Sequence, residues 1–177
     1  IHPIAAVCAN EKIKNIDNFN NDRVSVLIYF TKKFNETDSI IPPITKKYVK
    51  RGGYYGYKPI YNSSAIQELN VKEFIKVLQA EGVDIRQTVS PPLHQTELFS
   101  KIKNYSYSRN IVQNNYINKN FKDHFPNSDW FMNNHLSFAT FSLPSDCSII
   151  DCYVSAIHKV EGNLKNNPKI IHKIKSL

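Results

Sequence analysis

Apolar positions recur along this 177-residue chain with two periods, and each change of period marks an element. Pro3 suits the first turn of a helix, where its missing N–H costs nothing. Ile4, Val7 and Cys8 then share one face, with Ala5, Ala6 and Ala9 on others. An Asn/Asp-rich run over 15–22 interrupts good helix formers and should kink or break the element. Val24, Leu27, Ile28, Phe30 and Phe34 resume a helical stripe. This predicts two consecutive helices, or one bent helix, ending near Asn35. The segment 40–44, with Pro42 and Pro43, reads as an extended connection. Residues 48–61 are aromatic and β-prone but punctuated by Gly52, Gly53 and Gly56, which suggests a strand with a bulge or a close backbone approach. Such a strand is most often a half-buried sheet face, with a ligand-facing Tyr55 or Tyr57 as the rarer alternative.

Asn70 is placed to cap a helix from Val71, and Phe74, Ile75, Val77 and Leu78 supply its buried face. Gly82 fits the position just past its end, because glycine tolerates a left-handed backbone. Val83 and Ile85 alternate with Asp84 and Arg86, the pattern of a short half-buried strand. Pro91 and Pro92 forbid continuation of a ladder or a helix, so the backbone must turn out of the sheet. His94 follows that bend, ahead of the apolar pair Leu98 and Phe99. A histidine at a strand exit is well placed to meet a ligand; a surface or capping histidine is the bland alternative.

Residues 103–122 are polar, rich in Asn, Tyr and Lys, and keep no period, which predicts a long excursion with some helical turns. Asn127 or Ser128 then caps a short helix through Trp130, Phe131 and Met132. Leu136, Phe138 and Phe141 read as a buried strand. Ser145 or Asp146 caps a last clear helix, whose Ile150, Tyr153, Val154, Ile157 and Val160 form an apolar stripe stopped by Gly162. His158 lies just off that stripe and should be solvated, and the basic tail from Lys165 reads as a frayed helix. The order is helix, helix, strand, helix, strand, excursion, strand, helix. That is an α+β (two-layer α/β) fold in which a small sheet is covered by helices.

Composition changes this picture little. Apolar residues at 41% and charged residues at 21% are ordinary for a globular domain with a real core. No apolar run approaches the roughly 20 residues that span a bilayer, so no membrane partner is expected. The first residues lack the basic start and long apolar stretch of a secretory signal, which predicts a cytoplasmic protein. The chain opens on Ile1 and not on Met, the expectation being a piece of something longer. Three cysteines, Cys8, Cys147 and Cys152, make neither a disulfide framework nor a zinc motif, and a reducing compartment is the default.

A formal charge of +8 admits a basic nucleic-acid-binding module as a competing reading. The lysines are scattered, however, and the densest group, Lys46, Lys47, Lys50 and Arg51, is short. No P-loop, G-x-G-x-x-G, H-E-x-x-H or G-x-S-x-G is present, and Asp84, Arg86 and His94 do not make a nucleophile. Residues alone assemble no complete catalytic constellation and no metal site.

Five motifs in order nevertheless resemble one family. They are HPIAA at 2–6 ahead of a helix carrying Arg23, GGYYGYKPIY at 52–61, EGVDIR at 81–86, PLHQTELF at 92–99, and SLPSDCSIIDCYVSAIHKV at 142–160. Together they resemble the C-terminal part of the DegT/DnrJ/EryC1/StrS sugar aminotransferases, which are fold-type I pyridoxal-phosphate (PLP) enzymes. The resemblance covers nearly the whole chain. It implies a helical segment, 1–36, leading from a large domain, and a small C-terminal domain, 37–177. It also implies that the cofactor lysine and most phosphate contacts lie upstream of Ile1, since no lysine here sits in a matching context. This chain alone should therefore be inactive. PLP would be held mainly by that upstream domain, on the same or a separate chain, and the complete protein would be a homodimer. His94 matches the family's strand-exit histidine and is the implied substrate-side residue; Arg86 is a second candidate for an anionic or hydroxyl-rich substrate. The implied substrate is a keto-sugar, nucleotide-linked, or a cyclitol. A non-catalytic partner that keeps the fold for binding is the alternative from another class.

Overall fold

A computed structural model describes residues 2–49, 56–88, 90–96, 125–167 and 169–174. The expected excursion at 103–122, and Gly52, Gly53, Tyr55, Leu98 and Phe99, lie outside these described residues. The fold is α+β. The chain forms two compact units, one of residues 1–87 with 136–177 and one of residues 88–135. Among the described residues no helix is long and apolar enough to cross a membrane.

In the first unit, helices α1 (Pro3–Lys14) and α2 (Ile16–Phe34) meet at Asn15, so the Asn/Asp-rich run breaks the helix at its first residue and is otherwise helical. Ile4 and Val7 of α1 are exposed. On α2, Val26, Leu27, Phe30 and Phe34 are buried. Ile28, placed in that stripe by its spacing, faces solvent, because the buried arc follows Phe30 and Phe34. The 40–44 segment is not wholly a connection: β1 (Ile40–Ile41) pairs antiparallel with β2 (Ile60–Tyr61).

The expected strand over 48–61 shrinks among the described residues to its last third. Tyr48 is exposed, while 57–61 joins two ladders. The Leu136 and Phe138 amides donate to the carbonyls of Pro59 and Tyr57, and Ile60 and Tyr61 pair with β1. Tyr57 is a core residue and not a ligand-facing one. Its ring stacks on Phe30 at 4.4 Å and its hydroxyl lies 3.0 Å from that of Thr31.

Helix α3 (Val71–Ala80) begins where the sequence places it. Asn70 accepts from the Lys72 and Glu73 amides, and the Glu73 carboxylate accepts in return from the Asn70 amide. It ends at Glu81 and Gly82, whose φ of +89° is the left-handed conformation glycine permits. Strand β3 (Ile85–Arg86) pairs antiparallel with β4 (Ser137–Phe138), Ile85 inward and Arg86 outward.

Helix α5 (Cys147–Asn166) follows a 3₁₀ turn, Pro144–Asp146. Asp146 stands at its N-cap, and its carboxylate accepts backward from the Ser142 and Leu143 amides at 3.0 Å each. Gly162 does not end this helix. The helix runs one more turn to bury Leu164, and a short α6 (Lys169–Ile174) follows. The buried charge on α5 is Glu161, whose Oε1 accepts from the Asp38 amide (3.0 Å), the Ser39 amide (2.7 Å) and the Ser39 hydroxyl (2.5 Å). Tyr29 of α2 donates its phenol to Asp151 of α5 at 2.6 Å. That bond holds the proton on the oxygen and pushes the Tyr29 pKa up to about 12.

Candidate functional site

The second unit carries His94. Beyond Pro91 and Pro92 the chain makes one 3₁₀ turn, Leu93–Gln95, closed by the Gln95 amide donating to the Pro92 carbonyl at 2.9 Å. The Thr96 hydroxyl adds a bond to the Leu93 carbonyl at 2.7 Å. A proline bend followed by a tight turn leaves little freedom for the His94 backbone.

Helix α4 (Pro126–Asn134) supplies its partner. It starts earlier than Asn127 or Ser128 would place it, because Pro126 occupies the first helical position with Phe125 before it. Asp129 therefore falls in the first turn, a favourable place for a negative side chain. Asp129 Oδ1 lies 2.9 Å from His94 Nε2 and accepts from the Gln95 side-chain amide at 2.6 Å. The Phe125 ring lies against the imidazole, centroids 5.0 Å apart and tilted by 33°. Only 7% of the His94 side chain is exposed. It is therefore not an exposed surface histidine.

A second histidine escaped the sequence reading. His135 is buried, with Nδ1 3.0 Å from the Phe131 carbonyl and Nε2 3.3 Å from the Thr88 amide. A carbonyl only accepts and an amide only donates, so the proton sits on Nδ1. This residue pins the end of α4 to the start of the unit and is structural. Asp129 was missed as well. Its signal, an acidic residue three positions after Pro126, looks like ordinary helix-start chemistry.

Arg86 falls in the first unit, exposed, with Nε 3.2 Å from Asp84 Oδ1. Pairing of two exposed side chains this close in sequence is weak, so the guanidinium is held only loosely.

A lysine that bonds the cofactor must be desolvated or set beside another cation. The described lysines from Lys12 to Lys165 are exposed or half-buried, and several hold surface carboxylates: Lys33 with Glu36 at 3.3 Å, Lys159 with Glu81 at 2.6 Å, Lys165 with Asp38 at 2.5 Å. Among the described residues no group of three or more His, Cys, Asp or Glu side chains is arranged to hold a metal.

Solved structures similar in fold include the following two. S. venezuelae DesV in complex with a ketimine intermediate superposes with a TM-score of 0.56 at 12% identity, over 84% of this chain and 34% of that one. A DegT DnrJ EryC1 StrS aminotransferase from Brucella abortus gives 0.55 at 18% identity, over 86% of this chain and 34% of that one. The chain thus spans about a third of the length of these structures. No curated protein matches it. The family model described as the DegT/DnrJ/EryC1/StrS aminotransferase family matches residues 1–146. With most of its length inside that match, the chain belongs to the DegT/DnrJ/EryC1/StrS aminotransferase family.

Proposed function

We propose that this chain is the C-terminal part of a PLP-dependent aminotransferase that acts on a keto-sugar, nucleotide-linked, or on a cyclitol. The family match over residues 1–146 carries the reading. The 34% share of the solved neighbours supports a site shared with an upstream domain that binds the cofactor. PLP supplies the electron sink, and the protein supplies binding and orientation. On this reading His94 stands on the substrate side with Arg86 as a second contact, and the complete enzyme works as a cytoplasmic homodimer. The net charge of +8 suits a substrate that carries a diphosphate.

The test uses the full-length protein. Borohydride reduction followed by peptide mapping should trap PLP on one lysine upstream of Ile1, and the enzyme should aminate a nucleoside-diphosphate keto-hexose. Trapping on a lysine within residues 1–177 would overturn the division of labour. No trapping and no amination would favour a non-catalytic partner. Tight, salt-sensitive retention of RNA or DNA in their place would favour the nucleic-acid module.

A further inference from the structure

Hydrogen-bond directions around His94 specify which chemical group it can read. Asp129 Oδ1 already accepts the Gln95 amide, and a carboxylate oxygen only accepts, so the proton it shares with His94 belongs to Nε2. A neutral imidazole has one donor and one acceptor nitrogen. With the proton held on Nε2, Nδ1 is the acceptor. The Phe125 ring lies against the imidazole, and little of the His94 side chain is exposed.

We propose that Asp129 is a positioning residue that holds His94 in the Nε2–H form, so that His94 takes a hydroxyl of the sugar substrate through Nδ1 and does not read a phosphate. A sugar O–H can donate to that lone pair. Phosphate oxygens are themselves acceptors and would face it unfavourably. A site built this way also rejects analogues that lack the hydroxyl, because the Nδ1 lone pair then loses its partner in the complex. Gln95 strengthens the arrangement from the other side by occupying the carboxylate that orients the ring. The inference rests on the substrate-side role proposed for His94.

The experiment uses full-length enzyme with ¹⁵N-labelled histidine, with long-range ¹H–¹⁵N spectra to locate the ring proton. Wild type should show His94 protonated on Nε2. Asp129→Asn, which can turn an N–H toward the ring, should move the proton to Nδ1 and lower kcat/KM for a nucleoside-diphosphate keto-hexose about ten- to a hundredfold. Asp129→Glu should restore the wild-type signature and part of the rate. The free nucleoside diphosphate, used as a competitive inhibitor, should bind wild type and His94→Ala equally.

A wild-type proton on Nδ1 would overturn the proposal, as would equal weakening of the inhibitor by His94→Ala. If the proton moves in Asp129→Asn and kcat/KM holds while His94→Ala loses it, the tautomer set by Asp129 does not govern recognition and the proposal is overturned, but the substrate-side role of His94 stands. If folded His94→Ala keeps full kcat/KM, the substrate-side role itself fails and this inference with it.

Discussion

Glu161 shows what one side chain can hold together at the residue scale. It is buried on α5, yet one of its oxygens receives three donors from Asp38 and Ser39, and the other lies 3.6 Å from the exposed His158 ring. A buried carboxylate is tolerated when its lone pairs are filled in this way. Truncation would leave two backbone amides without an acceptor, and each unsatisfied buried group costs roughly 1–3 kcal/mol. Glu161→Ala should therefore lose on the order of 3 kcal/mol in urea unfolding, and Glu161→Gln, which keeps an acceptor oxygen, clearly less. Equal midpoints for Glu161→Ala and wild type would show that water replaces the carboxylate. The sequence held a trace of this residue, since Glu161 stands four after Ile157 and seven after Val154, squarely on the apolar stripe. Ending the helix at Gly162 hid it. The candidate site was legible to a similar depth. The proline bend marks His94, whereas Asp129 comes from 35 residues further on, across a segment with no period.

At the element scale, local chemistry was readable where the partners are neighbours in sequence and unreadable where they are distant. The capping box of α3 lies within four residues, and the alternation of Val83 to Arg86 matches the observed in-and-out burial. Strands of two residues have no period to read, and β1 exists only because Ile60 and Tyr61 come back to pair with it. Gly162 failed for a related reason. Glycine after a stripe is a common stop, but burial of Leu164 carries α5 past it. Its φ lies outside the left-handed region, and a Cβ built there meets nothing within 4 Å. Gly162→Ala should thus reduce the freedom of the unfolded chain without strain, adding about 0.5–1 kcal/mol. That corresponds to a rise of roughly 2–4 °C per kcal/mol in melting temperature for a chain of this size. A lower melting temperature would mean that the helix needs glycine there.

At the scale of the whole molecule, the core of the first unit is made by segments far apart in the chain. Phe30 and Phe34 of α2 meet the rings of Tyr57 and Phe138, while Ile150, Val154 and Ile157 of α5 are buried in the same cluster. Helical spacing fixed which face of α5 is apolar, and only the fold shows that this face closes over α2 and the two ladders. Val154→Asp tests that closure. The residue is 5% exposed, among the apolar side chains of the core, so a carboxylate there would have to be buried or the helix released. Either outcome costs several kcal/mol, against a total stability of about 5–15 kcal/mol for a domain. We expect loss of the cooperative thermal transition, or a large drop in its midpoint, read by near-UV circular dichroism. Two companions separate burial from mere substitution. Val154→Ala removes two methyl groups and should cost about 1–3 kcal/mol with the transition kept. Ile149→Asp places the same charge on the exposed side of the same helix, at 42% exposure, and should stay within about 0.5 kcal/mol of wild type. If Val154→Asp melts like Ile149→Asp, α5 does not close the core and the packing described for this unit is wrong.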